Sequence, residues 1–251
     1  MTKFLLSSSK GGAGRSVTSL LLTWGLMLVG RRALLIEVMG SGGPPLFGNS
    51  PPRDINLTVI NSHRDQEGAV KVMCALASNW EQFGPVVIDF PNWDPCEHGL
   101  SPLEYAFLIP IREGRLNLQA AAETYHDLVE RSLELSADGC NARKNAAAWL
   151  VPVGNWRKDA ATDGFDQRNR SHREKISVLP EWIPHLAPNE LEQLLIGKRF
   201  SPSPKIKRIA ISLAQAALRT AHTPPPQLLQ LPRSSRMRRR VGKTTVRDSP
   251  A

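Results

Sequence analysis

A glycine-rich turn near the amino end is the segment of this sequence best suited to chemistry. It spans residues 8–16 and reads SSKGGAGRS, after an apolar run at residues 4–7 and before a helix-like run. Glycines at positions 11, 12 and 14 allow successive backbone amides to turn toward one anion, and the positive end of a following helix adds to the attraction. This context predicts a phosphate-binding loop, whereas a plain connecting turn is the less favoured interpretation.

A serine and an aspartate supply oxygen atoms that could hold a cation beside such a loop. Ser16 directly follows the glycine-rich turn, and Asp89 ends the apolar run Val-Val-Ile-Asp. Hydroxyl and carboxylate oxygens are the ligands that Mg²⁺ prefers. An aspartate at a strand end is equally common as a turn or helix-cap residue. The metal interpretation of Asp89 therefore depends on its pairing with Ser16.

The elements needed to position these residues alternate along the chain. Apolar runs typical of strands cover residues 4–7, 33–38, 86–90, 105–111 and 147–153, and helix-like runs cover residues 16–30, 67–80, 117–135 and 206–219. Such alternation predicts a mostly parallel sheet with helices on both faces, which is the α/β class. A chain of 251 residues can bury a large core as one domain.

Basic residues are concentrated in the last part of the sequence. Residues 198–251 contain 13 Lys and Arg against one acidic residue, whereas residues 1–197 contain 19 basic and 22 acidic ones. From residue 221 onward the sequence is rich in proline and arginine and lacks an apolar period, so we expect a flexible basic tail over residues 221–251. Such a tail could serve only to keep the protein in solution. Alternatively it could bind DNA by neutralising backbone phosphates, through Arg233, Arg236, Arg238, Arg239 and Arg240.

Cysteine content and hydropathy indicate a cytoplasmic protein. Three well-separated cysteines cannot all pair with one another, and no C-x-x-C motif is present. The longest apolar run, residues 17–29, is too short to cross a bilayer, and the amino end does not fit an export signal. The proline-broken carboxyl end lacks the apolar face of a membrane-binding helix, so stable membrane insertion is not expected.

The glycine-rich turn resembles the loop K-G-G-x-G-K-[ST] of the ParA/MinD family of deviant Walker-type ATPases. The resemblance covers residues 1–220 and implies a P-loop NTPase-like domain that binds ATP and Mg²⁺ and dimerises with nucleotide. Lys10 matches the family's additional lysine, which acts in trans on the partner's phosphates. The implied nucleotide contacts are Lys10, Gly11, Gly12, Ala13, Gly14, Arg15, Ser16 and Val17, with Asn155 as the adenine contact. Ser16 and Asp89 are the implied metal residues.

The sequence departs from this family pattern at two catalytic positions. Arg15 stands where the family has its second loop lysine, and a planar guanidinium does not replace a compact ammonium at a crowded phosphate. After the second strand the family shows D-x-D, whereas here Glu37 and Met39 occupy those positions. A thioether cannot orient the attacking water, so we expect slow or absent hydrolysis.

These observations favour a ParA-like ATP-binding protein that binds non-specific DNA and serves partition or transfer of a plasmid or mobile element. Such a protein would also need an adaptor or cargo protein. The alternative is a non-hydrolysing scaffold of the same fold that docks a partner in conjugative transfer or envelope assembly. A metabolic ligase of the dethiobiotin-synthetase type is a third class, but no residues for a small-molecule pocket are evident.

Overall fold

The computed structural model describes residues 2–8, 12–40, 55–91, 95, 97–100, 104–137, 148–154, 177–187, 189–190 and 203–222. Six strands form one sheet: β1 (Lys3–Leu6), β2 (Leu34–Met39), β3 (Asn56–Asn61), β4 (Val86–Asp89), β5 (Ala106–Arg112) and β6 (Ala148–Val153). The helices with defined bounds are α1 (Arg15–Leu28), α2 (Gln66–Trp80), α3 (Arg115–Ala137) and α4 (Pro204–His222).

All neighbouring strands of the sheet are parallel, in the order β3-β2-β4-β1-β5-β6. Strand β1 therefore lies between β4 and β5, and the carboxyl ends of these strands meet at one edge of the sheet. The predicted α/β class with a parallel sheet is confirmed. On the outer side of β6, its residues Leu150 and Val153 each form a single parallel bridge, to Val178 and Ile183 respectively.

Two apolar layers hold the sheet between its helices. On one face, alternate strand residues such as Leu6 and Val87 pack with α1 and α4. On the other face, the intervening residues, such as Leu5 and Ile88, pack with α2 and α3. Because both faces are covered, the central strands are almost continuously apolar, as expected for a parallel sheet.

Helices α1 and α4 approach each other closely at a glycine. A Cβ atom at Gly25 would lie 1.9 Å from the backbone oxygen of Ala210 and 3.0 Å from the Cβ of Ala214. Alanines occupy the facing positions of α4, so the two backbones can come together with little side chain between them. This contact fixes α1, the helix that follows the glycine-rich turn, against the carboxyl-terminal helix.

The five predicted strands and four predicted helices are confirmed within a few residues, but β3 was missed. In its sequence, Asn-Leu-Thr-Val-Ile-Asn, three of the six residues are exposed and only Ile60 is buried, because β3 is the outermost strand beside β2. An edge strand lacks the continuous apolar run used to recognise the other strands. Residues 223–251 lie outside the described residues, so the boundary at residue 221 stays a prediction. No described helix has the length and apolarity to cross a membrane.

A glutamate links the segment before α4 to that helix and should make stability depend on pH. Glu190 accepts hydrogen bonds from the backbone N–H of Ala187 at 2.9 Å and from Lys205 Nζ at 3.0 Å. The Ala187 hydrogen bond, followed by the one from Lys205, lowers the pKa of Glu190. The charged Glu190 therefore stabilises the folded state above the ordinary glutamate pKa of about 4.3, and this stabilisation is lost as the pH falls further. We expect Glu190→Gln to lower the thermal midpoint at pH 7, and we expect its difference from the wild type to shrink as the pH falls below about 4.3, as measured by circular dichroism.

Candidate functional site

The candidate site lies where the carboxyl ends of β1, β4 and β5 meet the start of α1. Ser7 and Ser8, which follow β1, are buried at 2% and 4% exposure. The backbone N–H of Ser7 donates to Leu108 of β5 at 3.2 Å, and that of Phe90 after β4 donates to Leu6 at 3.0 Å. These bonds continue the sheet past its strand ends and fix the position from which the glycine-rich turn leaves.

The described part of the glycine-rich turn requires glycine at two positions. Gly12 and Gly14 have φ angles of +77° and +94°, which side chains other than glycine adopt only with strain. A Cβ atom on Gly14 would in addition lie 2.9 Å from Cγ1 of Val153 at the end of β6. The turn is therefore pressed against the sheet edge, and its path depends on the absence of side chains.

The start of α1 offers backbone donors and carries no acidic residue of its own. Gly14 is the residue preceding α1, it provides no side-chain cap, and the first turn contains no acidic residue. The Thr18 hydroxyl and backbone N–H both donate to the Gly14 oxygen, at 2.8 Å and 2.9 Å, which anchors the turn to the helix. An uncapped helix start with a fixed glycine turn is a favourable position for a phosphate.

Arg15 and Asp89, predicted separately as phosphate and metal residues, form an ion pair. Arg15 Nε lies 2.5 Å from Asp89 Oδ1, and their side chains are 21% and 2% exposed. The other carboxylate oxygen, Oδ2, lies 3.4 Å from the Ser19 hydroxyl, which also donates to the backbone oxygen of Ser16 at 2.9 Å. The loop sequence predicts Arg15 at a phosphate, whereas the structure places its guanidinium on the carboxylate.

A second carboxylate lies beside Asp89 in the sheet. Glu37 of β2 is in register with Asp89 of β4 and is 7% exposed. Leu35 and Val87, two residues earlier in each strand, belong to the α1 face, so both acidic side chains emerge on that face. Met39 follows on the same face, and its backbone oxygen accepts hydrogen bonds from the N–H and hydroxyl of Ser62.

The oxygen donors of this corner fit a hard cation such as Mg²⁺. Ser16 is the second residue of α1, and Asp89 and Glu37 supply carboxylates on adjacent strands. No cluster of three His, Cys, Asp or Glu residues able to hold a metal occurs among the described residues. One or two carboxylates without a complete protein cage are typical of Mg²⁺ that is bound together with phosphate. The carboxylate of Asp89 is at the same time held by Arg15, which a metal ion would have to displace.

A small, solvent-open cleft with about 10 Å³ of space for water lies beside the turn and was not predicted. It lies between the carboxyl end of β5 and the start of α3, and it is lined by Ser8, Ala13, Ile109, Pro110, Ile111, Arg112, Asn117, Ala120 and Ala121. Ser19 was also missed, although its position one helical turn after Ser16 places the two residues on the same face of α1. Ser8 and Ala13 belong to the glycine-rich turn, but the other cleft residues carry no motif by which the sequence could reveal them.

Several predicted site residues cannot be located. Lys10, Gly11, Asn155 and the tail residues Arg233, Arg236, Arg238, Arg239 and Arg240 lie outside the described residues. Of the remaining predicted contacts, Ala13 lines the cleft and Val17 packs against the apolar core under α1. The structure therefore brings together the glycine-rich turn, Arg15, Asp89 and Glu37, with Ser16 in the first turn of α1.

Comparison by sequence finds no relative: no protein-family model matches the chain, and no curated protein matches it significantly. Solved structures of similar fold do exist. A putative plasmid partition protein from Borrelia burgdorferi bound to AMPPNP aligns with a TM-score of 0.55 and 14% identity, over 87% of this chain and 98% of that one.

Two further solved structures have the same arrangement. The MinC:MinD cell division protein complex of Aquifex aeolicus aligns with a TM-score of 0.54 and 14% identity, over 94% of this chain and 100% of that one. The septum site-determining protein MinD of Pyrococcus horikoshii, complexed with Mg-ADP, aligns with a TM-score of 0.50 and 17% identity, over 85% and 95%. These neighbours are ParA/MinD-family P-loop ATPases, and the chain has their fold.

Proposed function

We propose that this chain is a ParA-like protein that binds ATP and Mg²⁺ at the glycine-rich turn. The observation that carries the proposal is the turn itself, which connects buried β1 to the uncapped start of α1. Asp89, at the end of β4, lies beside that helix start. The bound AMPPNP and Mg-ADP of the two structural neighbours support the same choice of ligand. At 14% and 17% identity those neighbours support it through the fold alone.

The roles within the site follow from position and chemistry. The amides of Gly12 to Ser16 bind the phosphates, because they line the turn and the helix start. The Ser16 hydroxyl and the Asp89 carboxylate hold Mg²⁺, which supplies charge neutralisation of the phosphates when it is bound. Glu37 is the altered switch residue, next to Asp89 in the sheet. The resemblance to the ParA/MinD family adds two further roles, in which Lys10 reaches the partner's phosphates and Asn155 contacts adenine.

We further propose that nucleotide brings two copies of the chain together and that the dimer binds DNA without sequence preference. The arginines of residues 233–240 would neutralise backbone phosphates, so binding should weaken steeply with salt. An adaptor or cargo protein completes the proposed system, which serves partition or transfer of a plasmid or mobile element. The plasmid partition protein among the structural neighbours supports that assignment.

A second candidate function is a non-hydrolysing scaffold of the same fold, which docks a partner in conjugative transfer or envelope assembly. Two features of the site favour it. Arg15 already compensates Asp89, and Met39 offers no acceptor for an attacking water. MinD in complex with MinC shows a protein of this fold docked to a partner. Steady-state phosphate release, with and without DNA, separates the two candidates.

Gly14→Ala should weaken nucleotide binding, as measured by calorimetric titration of ATP with Mg²⁺. A left-handed backbone costs about 1–2 kcal/mol for a residue with a Cβ atom. The new methyl group would also push the turn away from Val153, which lies 2.9 Å from its position. We expect at least a tenfold loss of affinity, about 1.4 kcal/mol.

Gly30→Ala is the matched control, because Gly30 has a φ of +79°, has open space at its Cβ position and lies at the opposite end of α1. It carries the same backbone strain without touching the turn, and we expect unchanged affinity. Equal losses in both variants would show that strain, and not the turn, controls binding. No heat from the wild-type protein would overturn the proposed function.

A further inference from the structure

The ion pair between Arg15 and Asp89 occupies the carboxylate that a metal ion would use. We propose that Arg15 is a built-in competitor of Mg²⁺: its guanidinium holds Asp89 in the protein without nucleotide, and Mg²⁺ reaches Asp89 only after nucleotide phosphates draw Arg15 away. This inference rests on the proposed function and adds an order of binding to it, in which nucleotide precedes the metal.

Both oxygens of Asp89 have protein partners. Arg15 Nε lies 2.5 Å from Oδ1, and the Ser19 hydroxyl lies 3.4 Å from Oδ2. The Asp89 side chain is 2% exposed, so water contributes little to stabilising its charge. A buried carboxylate needs a counter-charge, and here the Arg15 side chain supplies it. A metal ion that binds without phosphate would have to break this ion pair, and no phosphate would be present to bind the released guanidinium.

Arg15 is placed so that it can exchange one anion for another. It is the first residue of α1 and directly follows the turn, and its side chain is 21% exposed, whereas Asp89 is enclosed. The planar guanidinium binds carboxylate and phosphate with the same geometry. A phosphate at the turn would therefore offer Arg15 an alternative partner without a change in the course of α1.

The charge balance explains why the metal can follow. Glu37 lies in register with Asp89, so two carboxylates share this corner of the sheet with Arg15. When Arg15 turns to phosphate, the two carboxylates and the nucleotide together attract a divalent cation. By linkage, nucleotide must then raise the affinity for Mg²⁺ by the same factor as Mg²⁺ raises the affinity for nucleotide.

Thermal unfolding with Mg²⁺ and without nucleotide tests the competition directly. We expect millimolar Mg²⁺ to leave the Tm of the wild-type protein unchanged relative to Na⁺ at equal ionic strength. Arg15→Gln removes the ion pair from Asp89, so the Tm of this variant should be lower than that of the wild type without Mg²⁺. Its Tm should then rise by about 4 °C with Mg²⁺, because Mg²⁺ binds the folded state and not the unfolded one. Arg32→Gln is the control, because this exposed arginine lies over the Phe83 ring and should leave the Mg²⁺ response at zero.

The double variant Arg15→Gln/Asp89→Asn identifies the carboxylate. It should lose the Mg²⁺ response, and a response that persisted would overturn the proposal. An equal rise in the wild-type Tm with Mg²⁺ alone would also overturn it. If Arg15→Gln does not fold, calorimetric titration of ATP into the wild-type protein in EDTA decides the question, since the proposal requires ATP to bind before any Mg²⁺ is present.

Failure of the proposed function gives a different result. In that case ATP produces no heat in EDTA or in Mg²⁺, whereas the nucleotide-free Tm comparison of wild type, Arg15→Gln and the double variant still reports whether Arg15 excludes Mg²⁺ from Asp89. If ATP binds only when Mg²⁺ is present, the function stands and the proposed order of binding is wrong.

Discussion

Gly25→Ala should lower the free energy of unfolding by about 3 kcal/mol, the upper range for overpacking a well-packed core. In an isolated helix the same change would stabilise by about 1 kcal/mol, so the sign of the effect is reversed by packing. The cause is the position of the new methyl group, 1.9 Å from the backbone oxygen of Ala210. Relief requires α4 to move away from α1, because a backbone oxygen inside a helix cannot rotate aside. Urea unfolding followed by circular dichroism measures the change.

Gly68→Ala provides the contrasting case for that prediction. Its Cβ atom would lie 2.0 Å from Oδ2 of Asp65, a distance as short as that at Gly25. Here the neighbour is the end of a side chain, which caps α2 by accepting from the N–H of Gly68 at 2.8 Å. Loss of the cap, about 1 kcal/mol, nearly cancels the gain in helix propensity. Similar destabilisation by both variants would contradict the role given to the α1–α4 contact.

Met39→Asp should increase steady-state ATP hydrolysis at least tenfold, since a positioned base or water acceptor contributes roughly 10²–10⁴-fold to catalysis. Met39 is the last residue of β2, on the same face as Glu37 and two residues beyond it. A carboxylate there could accept a hydrogen bond from a water molecule and orient it toward the nucleotide. Phosphate release should be measured with and without DNA, because the two candidate functions differ in that comparison.

Met39→Leu is the control for this gain, because it keeps an apolar side chain of similar size. We expect it to hydrolyse ATP as slowly as the wild-type protein. The hypothesis that residue 39 limits turnover would be abandoned if the leucine and aspartate variants had equal rates. It would also be abandoned if the wild-type protein already matched other ATPases of this fold.

The sheet and the candidate loop could be predicted from the sequence because each depends on local pattern. Buried parallel strands require continuous apolar runs, and residues 86–90 and 105–111 supply them. The glycine-rich turn could be recognised for the same reason, since glycines at fixed spacing before a helix have few other uses. The φ angles of Gly12 and Gly14 show that two of those glycines are required by the backbone.

Contacts between distant residues could not be predicted in this way. Arg15 and Asp89 are separated by 74 positions, and a basic residue in the turn is expected to bind phosphate when only local sequence is considered. The choice between phosphate and carboxylate depends on the packing of α1 against β4. The cleft beside β5 likewise arises from the placement of α3 and has no signature in residue type.

The compensation of Asp89 by Arg15 bears on the lifetime of the protein inside a cell. A chain that buried this carboxylate alone would unfold readily whenever its ligand became scarce, and proteases would remove it. Here the neutralising group is encoded in the polypeptide. If the glycine-rich turn binds nucleotide as proposed, the amount of folded protein should therefore change little when nucleotide becomes scarce.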